Sequence, residues 1–139
     1  SSINVVPGGV TLWVDVRGVN NESISRTLEA IKAEANAVAE NDGVAIEFEM
    51  LTADKPVALS EELAKKAEAI CEAEGIDYLH MNSGAGHDAM HMAKLAPTTM
   101  IFIPCKEGIS HNPAEFAKLE DICRAVEVLA KLLESEANE

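Results

Sequence analysis

Apolar and polar residues alternate through most of the first fifty positions. Val10, Leu12, Val14 and Val16 interleave with Thr11, Trp13, Asp15 and Arg17, the period-two pattern of a half-buried strand. A shorter β-prone run, 3–6, precedes it across the turn signal Pro7-Gly8-Gly9. The period then lengthens. Ile24, Leu28, Ile31, Ala35 and Val38 recur every three or four residues, predicting a helix from a cap at Asn20 or Asn21 to about Glu40, stopped by Asp42-Gly43. Val44, Ile46, Phe48 and Met50 resume the alternation. Residues 1–51 thus read β-β-α-β with one buried sheet face.

The pattern changes after the connector 52–59, which contains Pro56. Ser60 caps a helix with Glu61 and Glu62 in its first turn, Leu63, Ala67, Ile70 and Cys71 on its inner face, and Gly75 just past its end. A short strand at 76–82 leads into a glycine loop and a helix to about Leu95, broken by Pro97. Thr99–Pro104 is apolar on both faces, as an interior parallel strand requires. A last helix follows Asn112 and runs to about Glu134, with Leu119, Ile122, Cys123, Val126, Leu129, Ala130 and Leu133 turned inward. The second half reads α-β-α-β-α, a doubly wound layout, and the boundary falls near residue 56.

Composition narrows the function classes. The formal net charge is −13, which disfavours nucleic acid and anionic membranes as partners, because phosphate binding needs clustered Lys and Arg. Cys71, Cys105 and Cys123 form no CxxC and are odd in number, as expected of reduced thiols in the cytoplasm. No apolar run reaches the length of a membrane span. The first residues lack a methionine and run directly into an apolar segment, which reads as a cut.

Candidate chemistry collects in two strand-to-helix loops. Ser83-Gly84-Ala85-Gly86 lets backbone N–H groups approach a bound anion or carbonyl oxygen; a plain tight turn is the alternative. His87 and His91 stand one helical turn apart, a spacing that can chelate a metal, although Met90 and Met92 argue for a buried helix face. In the second loop Asn112 caps, Pro113 takes the first helical position and Glu115 bonds back as in a capping box. That fixes His111 at the mouth of the strand, in a ligand or catalytic role or as a solvated side chain. Cys105, at a strand end, reads as a buried inert thiol.

Taken together, Asn4-Val5-Val6-Pro7-Gly8, Val14-Asp15-Val16-Arg17, Ser83-Gly84-Ala85-Gly86-His87-Asp88-Ala89 and Gly108-Ile109-Ser110-His111-Asn112-Pro113-Ala114-Glu115 occur in an informative order. The chain resembles the N-carbamoyl-L-amino acid hydrolases and allantoate amidohydrolases, metal-dependent amidases related to the aminoacylase and carboxypeptidase group. The resemblance implies an α/β fold: residues 1–55 as part of an α+β lid that also makes a homodimer, and 56–139 as the last part of a doubly wound catalytic domain. It implies His111 as a metal ligand, Asn4 and Arg17 as lid residues holding the substrate carboxylate, Gly84 as a backbone contact, and His87 and Asp88 as supporting groups. It also implies two divalent ions (zinc, manganese, nickel or cobalt) in the full-length parent. The other metal ligands and the general base of such enzymes have no counterpart here and are expected upstream. The resemblance therefore implies a C-terminal portion of an amidase that is inactive alone, with no catalytic residue of its own.

Geometry qualifies the carboxylate grip. If Pro7-Gly8 makes a tight hairpin, Asn4 lies opposite Leu12, and Arg17 is roughly 16 Å further along. Asp15 shares a face with Arg17, so a surface salt bridge is the alternative role.

Overall fold

A computed structural model describes residues 4–138. The chain divides into two compact units, the first ending at Pro56 and the second beginning at Val57.

The first unit is built on one helix, α1 (Asn21–Asp42). Asn20 is its cap: the side-chain oxygen accepts the Ser23 N–H at 3.0 Å, satisfying one of the donors a helix start leaves open. Gly43, at φ 67°, ends it in the left-handed conformation that glycine adopts without a Cβ clash. Of the predicted stripe, Ile24, Leu28 and Ala35 are half-buried, while Ile31 and Val38 lie at the exposed limit.

The second unit pairs α2 (Glu61–Glu74) with α4 (Leu119–Ala137). Ser60 Oγ accepts the Leu63 N–H, and the Ser60 N–H itself donates to the Thr98 carbonyl at 2.8 Å, tying the start of α2 to the segment before 99–104. Gly75 ends α2 at φ 65°. Cys71 on α2 and Val128 and Leu132 on α4 are buried, and burial pushes the Cys71 thiol up from its ordinary pKa. Lys66–Glu136 at 2.7 Å and Lys131–Glu74 join the helices in an antiparallel sense. Between them lie a single helical turn, α3 (Ala89–Met92), and a 3-10 turn at Lys106–Gly108.

Three expectations need correction. Among the described residues there is no strand, so the β-β-α-β reading of the lid and the strands at 76–82 and 99–104 do not appear as ladders. A strand exists only through its neighbour's N–H and C=O groups, and the alternating segments lack that neighbour. Leu12, Trp13 and Val14 are 80%, 79% and 64% exposed, so both faces of the alternation stand open.

Second, the last helix does not begin at Asn112. Phe116 presents its carbonyl to the Lys106 N–H at 2.8 Å instead of to a following helical N–H, Lys118 is extended, and α4 starts at Leu119. Glu120 and Asp121 in its first turn suit the positive end of the helix dipole. Third, the apolar stripe assigned to the inside of α4 faces outward. Leu119, Ile122, Val126, Leu129 and Leu133 are 40–73% exposed, and the buried residues are Val128 and Leu132 on another face. The helix is apolar on two sides, and α2 covers one.

Candidate active site

The glycine loop is organised by Ser83. Its hydroxyl lies 2.7 Å from His87 Nε2, and its oxygen also accepts the Ala85 N–H at 3.2 Å. The His87 ring meets Phe102 edge-on, with centroids 5.5 Å apart and planes at 64°. Both Ser83 and His87 are half-buried. Gly84 and Gly86 have no left-handed φ, and a Cβ at either would meet open space. Neither a tight turn nor close internal packing demands glycine there, and no neighbouring atom crowds the Cβ side of either residue. The helix the loop opens, α3, has only four residues and supplies no helix-dipole site for an anion.

The His87/His91 metal pair fares poorly. Helix α3 begins after His87, whose Nε2 is engaged by Ser83, and His91 is exposed. Among the described residues no three His, Cys, Asp or Glu side chains gather where they could hold a metal, so His87, His91 and His111 do not make an autonomous site.

His111 is held in a strained backbone conformation. Its φ is 54°, a left-handed value uncommon outside glycine. Glu115 Oε2 accepts the His111 N–H at 2.9 Å, Asn112 Oδ1 accepts the Ala114 N–H at 2.9 Å, and the Glu115 N–H donates to the Asn112 carbonyl at 2.9 Å. The capping box anticipated for Asn112 and Glu115 does not form: Glu115 takes the His111 N–H instead of that of Asn112, and Asn112 takes the Ala114 N–H instead of that of Glu115, so the pair closes a turn and fixes His111 instead of starting a helix. The imidazole itself is exposed.

The remaining candidates lie in the first unit. Asn4 is exposed in a turn. Arg17 forms an exposed fork with Asp15, its Nε 2.8 and 2.9 Å from the two carboxylate oxygens and Nη2 2.6 Å from one of them. Those hydrogen bonds hold the Asp15 carboxyl below its ordinary value and the Arg17 guanidinium above its own. Cys105 is half-buried at the edge of the 3-10 turn.

Two features escaped the sequence reading. The Ser83–His87 bond follows from a Ser-x-x-x-His spacing, which one turn of chain brings together. On the outside of α2, His80 Nδ1 lies 2.5 Å from Glu68 and Tyr78 Oη donates to Glu72 at 2.9 Å. The Glu68 hydrogen bond raises the His80 pKa above 6.5, and the Glu72 carboxylate raises that of Tyr78.

Comparison with known proteins places the chain in a family. Residues 3–135 match the family model of peptidase family M20/M25/M40. An uncharacterized hydrolase of Haemophilus influenzae is 42% identical across 97% of this chain and 33% of its own length. The allantoate amidohydrolase of Escherichia coli is 35% identical (96% and 32%), and an N-carbamoyl-L-amino-acid amidohydrolase of a Pseudomonas strain 34% identical (91% and 30%). A solved amidohydrolase/peptidase from Burkholderia cenocepacia, described as putative, superposes with a TM-score of 0.75 at 32% identity, over 85% of this chain and 29% of that one. The chain spans about a third of the length of the curated relatives it matches. With a family model covering nearly its whole length, the chain belongs to peptidase family M20/M25/M40, among hydrolases that include amidohydrolases.

Proposed function

We propose that this chain is the C-terminal portion of a metal-dependent amidohydrolase that cleaves a linear carbamoyl or ureido C–N bond in a small carboxylate-bearing substrate. The observation that carries this reading is His111, an exposed imidazole whose backbone is locked at φ 54° by the Glu115 carboxylate. Strain of this kind collects at functional sites. In this reading His111 donates one ligand to a divalent centre, zinc, manganese, nickel or cobalt, that would activate water for attack on the carbonyl. This chain's described residues do not complete such a centre, so its other ligands and the general base belong to a preceding part of the fold.

The other residues serve binding. Gly84 offers its backbone to the substrate, and the open space at Gly84 and Gly86 supports that role. His87 stands beside it with a fixed ring. Arg17 would grip the substrate carboxylate as a charge-assisted bond, exchanging Asp15 for it, and Asn4 would assist. The exposed apolar stripe of α4 and the open alternating segments support a fold that further chain completes.

The parent is read as a cytoplasmic homodimer joined through the lid. In this chain Cys71, Cys105 and Cys123 are free and, among the described residues, no helix is long and apolar enough to cross a membrane. The test is turnover. Purified residues 1–139, given zinc or manganese, should release no ammonia from allantoate or N-carbamoyl amino acids, and metal-dependent hydrolysis by them overturns the reading. A second reading, a non-catalytic dimerisation module built on α1, draws on the half-exposed Ile31 and Val38. It predicts a dimer by light scattering, and a strict monomer at high concentration counts against it.

A further inference from the structure

We infer that Ser83 is a positioning residue that fixes His87 as a neutral imidazole with its proton on Nδ1, presented as a hydrogen-bond donor to a ligand oxygen. The argument is a count of donors and acceptors. The Ser83 oxygen already accepts the Ala85 N–H at 3.2 Å and lies 2.7 Å from His87 Nε2. A hydroxyl carries one proton to give. Among the described residues, no acceptor other than His87 Nε2 takes it. If Nε2 were the protonated nitrogen, the half-buried Ser83 hydroxyl would receive two hydrogen bonds and its own proton would have no partner in the protein. Donation from Ser83 to an unprotonated Nε2 satisfies every group, and it forces the proton onto Nδ1.

The ring cannot easily turn away from this arrangement, because Phe102 meets it edge-on. Nδ1 makes no hydrogen bond among the described residues, so its N–H is free for an acceptor outside the chain. The neighbouring Gly86 is uncrowded on the side a Cβ would occupy. The chemistry that fits is an acceptor oxygen, a carbonyl or a carboxylate, taking the imidazole N–H and a backbone N–H of the loop together. The class of ligand rests on the amidohydrolase reading above; the proton assignment does not.

Two-bond nitrogen–proton NMR spectra of the nitrogen-15-labelled 139-residue chain decide it, recorded above the titration of ordinary histidines at about pH 8.5. His87→Asn identifies the signals by their loss. The expected result is His87 in the Nδ1–H form, Ser83→Ala shifting it toward the Nε2–H form that unconstrained histidine favours, and Ser83→Thr restoring the Nδ1–H form. A His87 in the Nε2–H form in the unaltered chain overturns the inference, as does a Ser83→Ala spectrum identical to the parent's. If Ser83→Ala does not fold, the unaltered chain alone decides, with the exposed His91 as an internal reference. Failure here leaves the ammonia-release test unaffected, and the reverse also holds.

Discussion

His111 concentrates the account at the scale of one residue. A left-handed backbone costs a non-glycine residue about 1 kcal/mol or more, and the Glu115 carboxylate and the Asn112 turn offset that cost here. His111→Gly should therefore leave the unfolding midpoint unchanged or raise it, whereas β-branched His111→Val should destabilise by at least about 1 kcal/mol; a denaturant titration of each variant checks both. The Glu68–His80 contact sets a pH dependence. Because the hydrogen bond raises the His80 pKa in the folded chain, its contribution is complete below 6.5 and is lost as pH rises through the folded value. NMR titration of His80 should show that raised value, and Glu68→Gln should return it to the ordinary one. Asp15 behaves in the opposite sense. Its lowered pKa makes the Arg17 contact complete above 3.8 and lost as pH falls through the folded value. Both partners are exposed, so Asp15→Asn should not move the unfolding midpoint.

Between elements, α2 and α4 carry the second unit. Burial is confined to a few side chains, so Leu132→Ala should cost about 2–4 kcal/mol and melt both helices together by circular dichroism, while Leu129→Ala on the open stripe should leave the melting curve nearly unchanged. The helices were legible because their signals are local. Asn20 and Gly43 bracket α1, and Ser60 and Gly75 bracket α2, each through bonds or backbone angles within a few residues. The face of α4 was not legible. Its sequence supports two apolar stripes, and only the partner helix decides which is covered. The strands failed for a related reason: alternation at Val10–Arg17 states which side would be buried, but not that a neighbouring strand is there to pair with.

At the scale of the whole chain, surface area makes the same point. The accessible surface is 11609 Å², against about 8,400 Å² for two independent domains of these sizes. Apolar side chains contribute to the excess, among them Leu12, Trp13, Val14, Leu119 and Leu133. At the candidate site, no three His, Cys, Asp or Glu side chains gather among the described residues where they could hold a metal. The sequence revealed the site's loops through Ser83–Ala89 and Ser110–Glu115, and the structure added the Ser83–His87 bond and the strain at His111, which depend on contacts that spacing alone does not specify.

The most direct measurement is allantoate hydrolysis by a graft in which these 139 residues replace the matching third of the Escherichia coli allantoate amidohydrolase, which is 35% identical to them. The account predicts metal-dependent ammonia release from the folded graft, falling by more than about 100-fold in His111→Ala. A folded graft without hydrolysis, or a His111→Ala graft as active as its parent, would contradict it.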